Sequence, residues 1–116
     1  MNQLVNLFKL MSDETRLRML VLLYQEELCV CQLGGILEIS QPRISQNLAK
    51  LRDLGLVRDE RKEKFVFYSL KGDHPMLMKL LSDIMENLAQ YPRLMEDQAR
   101  LKEKDTYLTT CCVPVR

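Results

Sequence analysis

Four cysteines carry the clearest chemistry in this chain of 116 residues, and they fall in two pairs, Cys29-Val30-Cys31 and Cys111-Cys112. Thiolates are soft ligands that select soft metals and thiophilic metalloids. The first pair stands where a helix is expected to begin, and the partial positive charge of a helix N-terminus lowers a thiol pKa. Glu26 and Glu27, just before it, oppose that effect. Residues i and i+2 of a regular helix point to nearly opposite sides, so Cys29 and Cys31 cannot both hold one ion from an intact turn. Either the pair lies ahead of the helix in extended chain, or binding unwinds the first turn. Adjacent cysteines form only a strained disulfide, which argues against a bridge between Cys111 and Cys112. A buried, inert thiol is the competing reading, because free cysteine is among the most buried residue types.

The second source of chemistry is positive charge. Between residues 40 and 71 stand Arg43, Lys50, Arg52, Arg58, Arg61, Lys62, Lys64 and Lys71 against four acids, an excess of +4 in a chain whose total is +1. A basic middle in an otherwise slightly acidic chain is a nucleic-acid footprint, with a solvated surface as the plainer alternative. An enzyme is not expected: there is one histidine, His74, no glycine-rich phosphate loop and no nucleophile–base pair, and no organic cofactor is implied. The longest apolar run covers residues 19–24, far short of a bilayer span, so no membrane partner is expected. The N-terminus lacks a basic segment followed by a long apolar stretch and a cleavage site, which places the chain in the cytoplasm. In that reducing compartment cysteines read as metal ligands or redox centres before disulfides.

The elements that must position these groups follow from periodicity. Leu4, Leu7, Phe8 and Met11 share a helical spacing. Ser12 or Asp13 caps a second helix with Leu17, Leu20, Val21 and Tyr24 on its buried stripe. Residues 28–38 form a third, in which Gly34 and Gly35 mark either close backbone packing or a soft helix. Ser40-Gln41-Pro42 is a helix start, with proline where its missing N–H costs nothing. Ile44, Leu48 and Leu51 face inward from this fourth helix, and Gly55 ends it in a left-handed conformation. Residues 57–61 and 65–70 are two strands around the polar turn 61–64. Residues 76–90 make a fifth helix, and Pro92 opens a sixth running to about residue 104. Residues 1–104 are expected as one domain and 105–116 as a tail carrying the Cys111-Cys112 pair.

Two helices joined by a short turn and followed by a hairpin make an α+β, mainly helical winged helix–turn–helix with a two-stranded β-hairpin wing. Its second helix enters the major groove of double-stranded DNA. The candidate DNA contacts are Gln41, Arg43, Ser45, Gln46 and Lys50 on the fourth helix. Arg61, Lys62 and Lys64 add contacts on the wing. Arginine can fork onto guanine and glutamine onto adenine, while serine and lysine hold phosphates.

These residues resemble the arsenical-resistance (ArsR/SmtB) family of metal-responsive repressors. The matching segments are Asp13-Glu14-Thr15-Arg16-Leu17-Arg18-Met19-Leu20, Glu27-Leu28-Cys29-Val30-Cys31-Gln32-Leu33, Ser40-Gln41-Pro42-Arg43-Ile44-Ser45-Gln46-Asn47-Leu48 and Leu51-Arg52-Asp53-Leu54-Gly55-Leu56-Val57. The resemblance implies a homodimer, paired through its first and last helices, that represses its own resistance operon. Trivalent arsenic or antimony would release it on binding Cys29 and Cys31. The family's arsenite site often has a third cysteine where Gly34 stands. The remaining thiolate must then come from Cys111 or Cys112, unless the ligand is a monomethylated arsenical that needs only two. The position after Ser45-Gln46 is commonly histidine in the family and is Asn47 here. The family's zinc site on the fifth helix is not expected, since His74 beside Asp73 lacks partners and reads as a helix-start residue. The alternative function is a regulator of the same fold that releases DNA when peroxide oxidises Cys29 or Cys31.

Overall fold

The computed structural model describes residues 2–111, with side chains to residue 108. Helix α1 (Asn2–Met11) ends where the Ser12 hydroxyl donates to Lys9 O at 2.7 Å. Asp13 then caps α2 (Glu14–Gln25), its carboxylate accepting the Arg16 N–H at 3.1 Å. This is the acid-at-the-N-terminus arrangement that a helix dipole favours. Helix α2 is the centre of the molecule: Met19, Leu20, Val21 and Leu22 are fully enclosed.

Strand β1 (Leu28–Cys29) leads into α3 (Val30–Leu37), and α4 (Gln41–Asp53) follows after a three-residue turn. Strands β2 (Val57–Lys62) and β3 (Phe65–Leu70) form the hairpin, then come α5 (Pro75–Glu86), a 3₁₀ turn at Leu88–Gln90, α6 (Pro92–Leu101) and α7 (Lys104–Cys111). The sheet is antiparallel in the order β1-β3-β2, with Leu28 opposite Tyr68 and Cys29 opposite Phe67.

The architecture is the expected winged helix, with several local differences, among them a fifth helix that stops at Glu86 and continues only as a 3₁₀ turn. The hairpin gains a third strand, and the third helix starts at Val30 rather than two residues earlier. A two-residue strand has no periodicity to betray it; it forms because Leu28 is drawn into the core and its backbone needs partners. Ser40 stands at the N-cap of α4, yet its side chain makes no capping bond. The wing turn is tighter, since β2 runs to Lys62 and Glu63 turns the chain at φ 59°. At the border of the stretch expected as a tail from residue 105, Lys104–Cys111 form α7.

Helix α7 is held by what α3 lacks. A Cβ on Gly35 would lie 2.1 Å from Tyr107 Cδ1 and 2.5 Å from Cγ, so the tyrosine ring fills the space a side chain would occupy. Of the two readings of the glycine pair, close packing is the one realised at Gly35. Gly55, at φ 77°, ends the α4 turn in the left-handed conformation expected of it.

Candidate nucleic-acid interface and thiol site

Helix α4 divides cleanly by face. Ile44, Leu48 and Leu51 are wholly buried against the core. Gln41, Pro42, Arg43, Ser45, Gln46 and Lys50 are all exposed. The five proposed groove residues therefore share the outer surface. Arg43 also leans back, its guanidinium donating to Thr15 Oγ1 at 3.5 Å. Asn47, on the flank of the same helix, is half-buried.

In the wing, Arg61, Lys62 and Lys64 are exposed. They are not equivalent. Lys62 is ion-paired with Glu27, just ahead of β1, and its ammonium sits 5.7 Å from the centre of the Phe67 ring. The Glu27 hydrogen bond raises the Lys62 pKa above its ordinary value. Lys62 thus braces the wing against the β1 corner, while Lys64 lies in the turn itself and Arg61 one pair further back along β2.

The thiol pair straddles the start of α3. Cys29 is the N-cap, extended at φ −97° and ψ 173°, and Cys31 lies in the first turn. Of the two routes left open by the i, i+2 spacing, the structure takes the extended one for Cys29. A reciprocal cap closes the end of the helix. The Cys29 N–H donates to Gln32 Oε1 at 3.1 Å, while the Gln32 N–H points at the Cys29 sulfur. This is a capping box with sulfur in the place of the usual hydroxyl.

Both cysteines are buried, at 2% and 1% exposure. Burial pushes the Cys29 thiol pKa up, and the backbone N–H groups at the helix start, which pull it down, do not fully offset this. The expected helix-terminus effect is present but outweighed by desolvation. Cys29 is a free thiol. Cys31 is disulfide-bonded, against the expectation of reduced cysteines. The side chain of Cys111 and the whole of Cys112 lie outside the described residues. Among the described residues no three metal-ligating side chains cluster.

His74 behaves as a helix-start residue: it caps α5, with Nδ1 accepting the Leu77 N–H at 3.3 Å. Sequence reading missed one buried group altogether. Arg18 on α2 forks onto both carboxylate oxygens of Asp97 on α6, each at 2.9 Å, and this bond raises the arginine pKa. Nothing in the local pattern of two residues 79 apart announces such a pair.

Residues 13–59 match the family described as bacterial regulatory protein, arsR family. The arsenic resistance transcriptional regulator ArsR1 of Pseudomonas putida is 42% identical over 98 residues, which are 83% of this chain and 75% of that one. Among solved structures, reduced HlyU of Vibrio cholerae superposes with a TM-score of 0.67 at 35% identity, covering 73% of this chain and 87% of that one. The AntR antimony-specific transcriptional repressor superposes at 0.62 and 27% identity, covering 77% and 82%.

Proposed function

Because the chain belongs to the arsR family of bacterial regulatory proteins, we propose that this winged-helix, DNA-binding transcriptional repressor controls an arsenic or antimony resistance operon as a homodimer. In this reading the reduced, ligand-free dimer holds an inverted-repeat operator. Gln41, Arg43, Ser45, Gln46 and Lys50 lie at the major groove, and Arg61, Lys62 and Lys64 lie along the backbone. Trivalent arsenic or antimony binds Cys29 and Cys31, with Cys111 or Cys112 as third thiolate.

The observation that carries the proposal is the place of Cys29. Its sulfur caps α3, the helix that leads directly into the recognition helix. In the capture step each thiol sulfur forms a bond to the metalloid. One hydroxide leaves the metalloid with the thiol proton as water, and no oxidation state changes. Before that step the Cys31 disulfide must be opened by a cellular thiol reductant, which supplies two electrons. The i, i+2 spacing does not let both sulfurs converge on one metalloid from an intact helix start, so gathering them shifts the Cys29 sulfur and disturbs the α3 cap as the ligand arrives. A cap is worth about 0.5–2 kcal/mol, of the same order as the 1–3 kcal/mol coupling that allosteric release needs.

The test is fluorescence anisotropy of the reduced protein on the duplex upstream of its own coding region, titrated with arsenite and separately with antimonite. Release near one ligand per subunit, abolished in Cys29→Ser while DNA binding persists, supports the assignment. A Cys29→Ser protein still released at wild-type arsenite concentrations removes Cys29 from the site.

The Cys31 disulfide supports a second reading, in which oxidation itself is the signal. Here peroxide, as two-electron oxidant, converts one thiol to a sulfenic acid. A second thiol displaces its oxygen as water and forms the disulfide. A complex untouched by arsenite but released by peroxide, and restored by dithiothreitol, would establish that alternative.

A further inference from the structure

Asn47 stands in the middle of the recognition helix, two positions from Ser45 and three from Lys50, where a carboxamide is well suited to read adenine. Its contacts point elsewhere. Asn47 Oδ1 accepts from the Arg16 guanidinium at 3.3 Å, and Nδ2 donates to Arg43 O, one turn back in α4, at 2.9 Å. The carboxamide is thus held at both its polar ends by partners within the protein, which fixes its orientation toward Arg16 and the α4 backbone.

Arg16 is the hub of this arrangement. Its Nε–H donates to Leu10 O at 3.0 Å, satisfying a carbonyl left open at the C-terminal end of α1. Its guanidinium also lies 3.9 Å from the carboxylate of Asp13, the α2 cap. One half-buried side chain therefore joins the end of α1, the start of α2 and the flank of α4. A neighbouring link, Arg43 to Thr15 Oγ1, ties the same two helices together.

We infer that Arg16 and Asn47 are a positioning pair that sets the roll of the recognition helix on the α1–α2 corner, and that Asn47 is not a base-reading residue. A side chain that ties the end of α1 and the start of α2 to the flank of α4 resists rotation about the α4 axis. Rotation matters because one roll of α4 brings Gln41, Arg43, Ser45 and Gln46 to the base edges together; a variant that samples other rolls binds only through the correctly rolled fraction, which lowers its affinity equally for every sequence.

The inference rests on the DNA-binding role proposed above, and the experiment separates the two. Wild type, Asn47→Ala, Arg16→Ala and the double variant are titrated onto the upstream duplex. A panel of duplexes changed at one base pair each is then run with wild type and Asn47→Ala. A positioning pair predicts that either single variant weakens binding by about two- to tenfold. The double variant should be no weaker than the worse single variant. The weakening should be equal across the panel, and the salt dependence unchanged, because no phosphate contact is lost.

Loss of discrimination at one base pair, about five- to 150-fold there and small elsewhere, would make Asn47 a base reader and overturn the inference. Unchanged affinity for Asn47→Ala, or losses that simply add, would overturn it too. Should Arg16→Ala fail to fold, Arg16→Lys keeps the charge but lacks the fork and is expected to behave as Asn47→Ala. Wild type that binds no duplex at low salt would instead defeat the DNA-binding role, and the positioning role with it.

Discussion

At the residue scale, charge state and burial decide what each group can do. Cys29 has a raised thiol pKa because it is desolvated, so at neutral pH it is protonated. The thiolate is the attacking form. Capture of arsenite by the reduced protein should therefore speed up by about tenfold per pH unit from pH 6 to 8, as expected of a single ionising thiol well below its pKa. Stopped-flow anisotropy measures this, and a flat profile would mean that Cys29 is not the first sulfur to react. The linkage to stability has the opposite sense. A folded-state pKa above the unfolded value gives stability that is present below the ordinary thiol range and lost as pH rises through the folded pKa.

Lys50 supplies a second test at this scale. It is exposed on the outer face of α4. Lys50→Ala is expected to weaken operator binding evenly across sequences and to lower the salt slope by about one. The same affinity as wild type over a salt series would place the DNA on another face.

At the element scale, α3 is the piece on which everything converges. It carries the thiols at its start, packs against α4 and α7, and presents Gly35 to Tyr107. Gln32, buried within it, caps its own N-terminus and donates to Lys104 O at the start of α7, 3.4 Å away. Lys104 in turn pairs with Glu26. Gly35→Ala would drive a methyl group into the tyrosine ring, an overpacking expected to cost about 1–3 kcal/mol. In urea unfolding, Tyr107→Ala alone should also destabilise. Placed in the Gly35→Ala background, it should add little further loss, because removing the ring also removes the clash. Additive losses would show that the helix–helix contact is not made through this pair.

Secondary structure was legible where an element buries a periodic stripe, as in α2 and α4, and in α1, whose apolar spacing is helical although Leu4 and Phe8 stay exposed. It was not legible at β1, where two residues carry no period, nor at α7. That helix has too little amphipathic pattern over eight residues to stand out, and it forms where α3 offers a glycine surface. The basic outer face of α4 was readable because Ile44, Leu48 and Leu51 leave only one face for the polar residues. The inward pull on Asn47, Arg43 and Lys62 was not, since each depends on a partner from another element.

At the scale of the whole molecule, two features bear on assembly. The Arg18–Asp97 fork fastens α6 to α2 inside the fold, at 8% and 3% side-chain exposure. Outside it, α1 leaves Leu4, Val5 and Phe8 exposed on one face, Phe8 at 51%. A homodimer paired through the first helix would cover that face. Phe8→Glu is then expected to shift the protein to monomer in sedimentation equilibrium and to weaken binding to an inverted repeat far more than to a half-site. An unchanged mass would exclude this face from the interface.

The sequence by itself determined the winged-helix class, the inner and outer faces of the recognition helix, a helix cap at Ser12 or Asp13, a helix start at His74, and the kinship to a family of regulators. Each of these is set by spacing over a few residues: a buried stripe repeats every turn, and a cap acts on the next three amides. Only the tertiary structure decided that Cys29 is a buried capping thiol whose desolvation outweighs the helix dipole. It alone showed the Cys31 disulfide, the seat of Tyr107 on Gly35, and Asn47 turned toward Arg16. Those outcomes depend on which groups meet across 30 to 80 positions of chain, and on how completely the meeting excludes water, neither of which local spacing encodes.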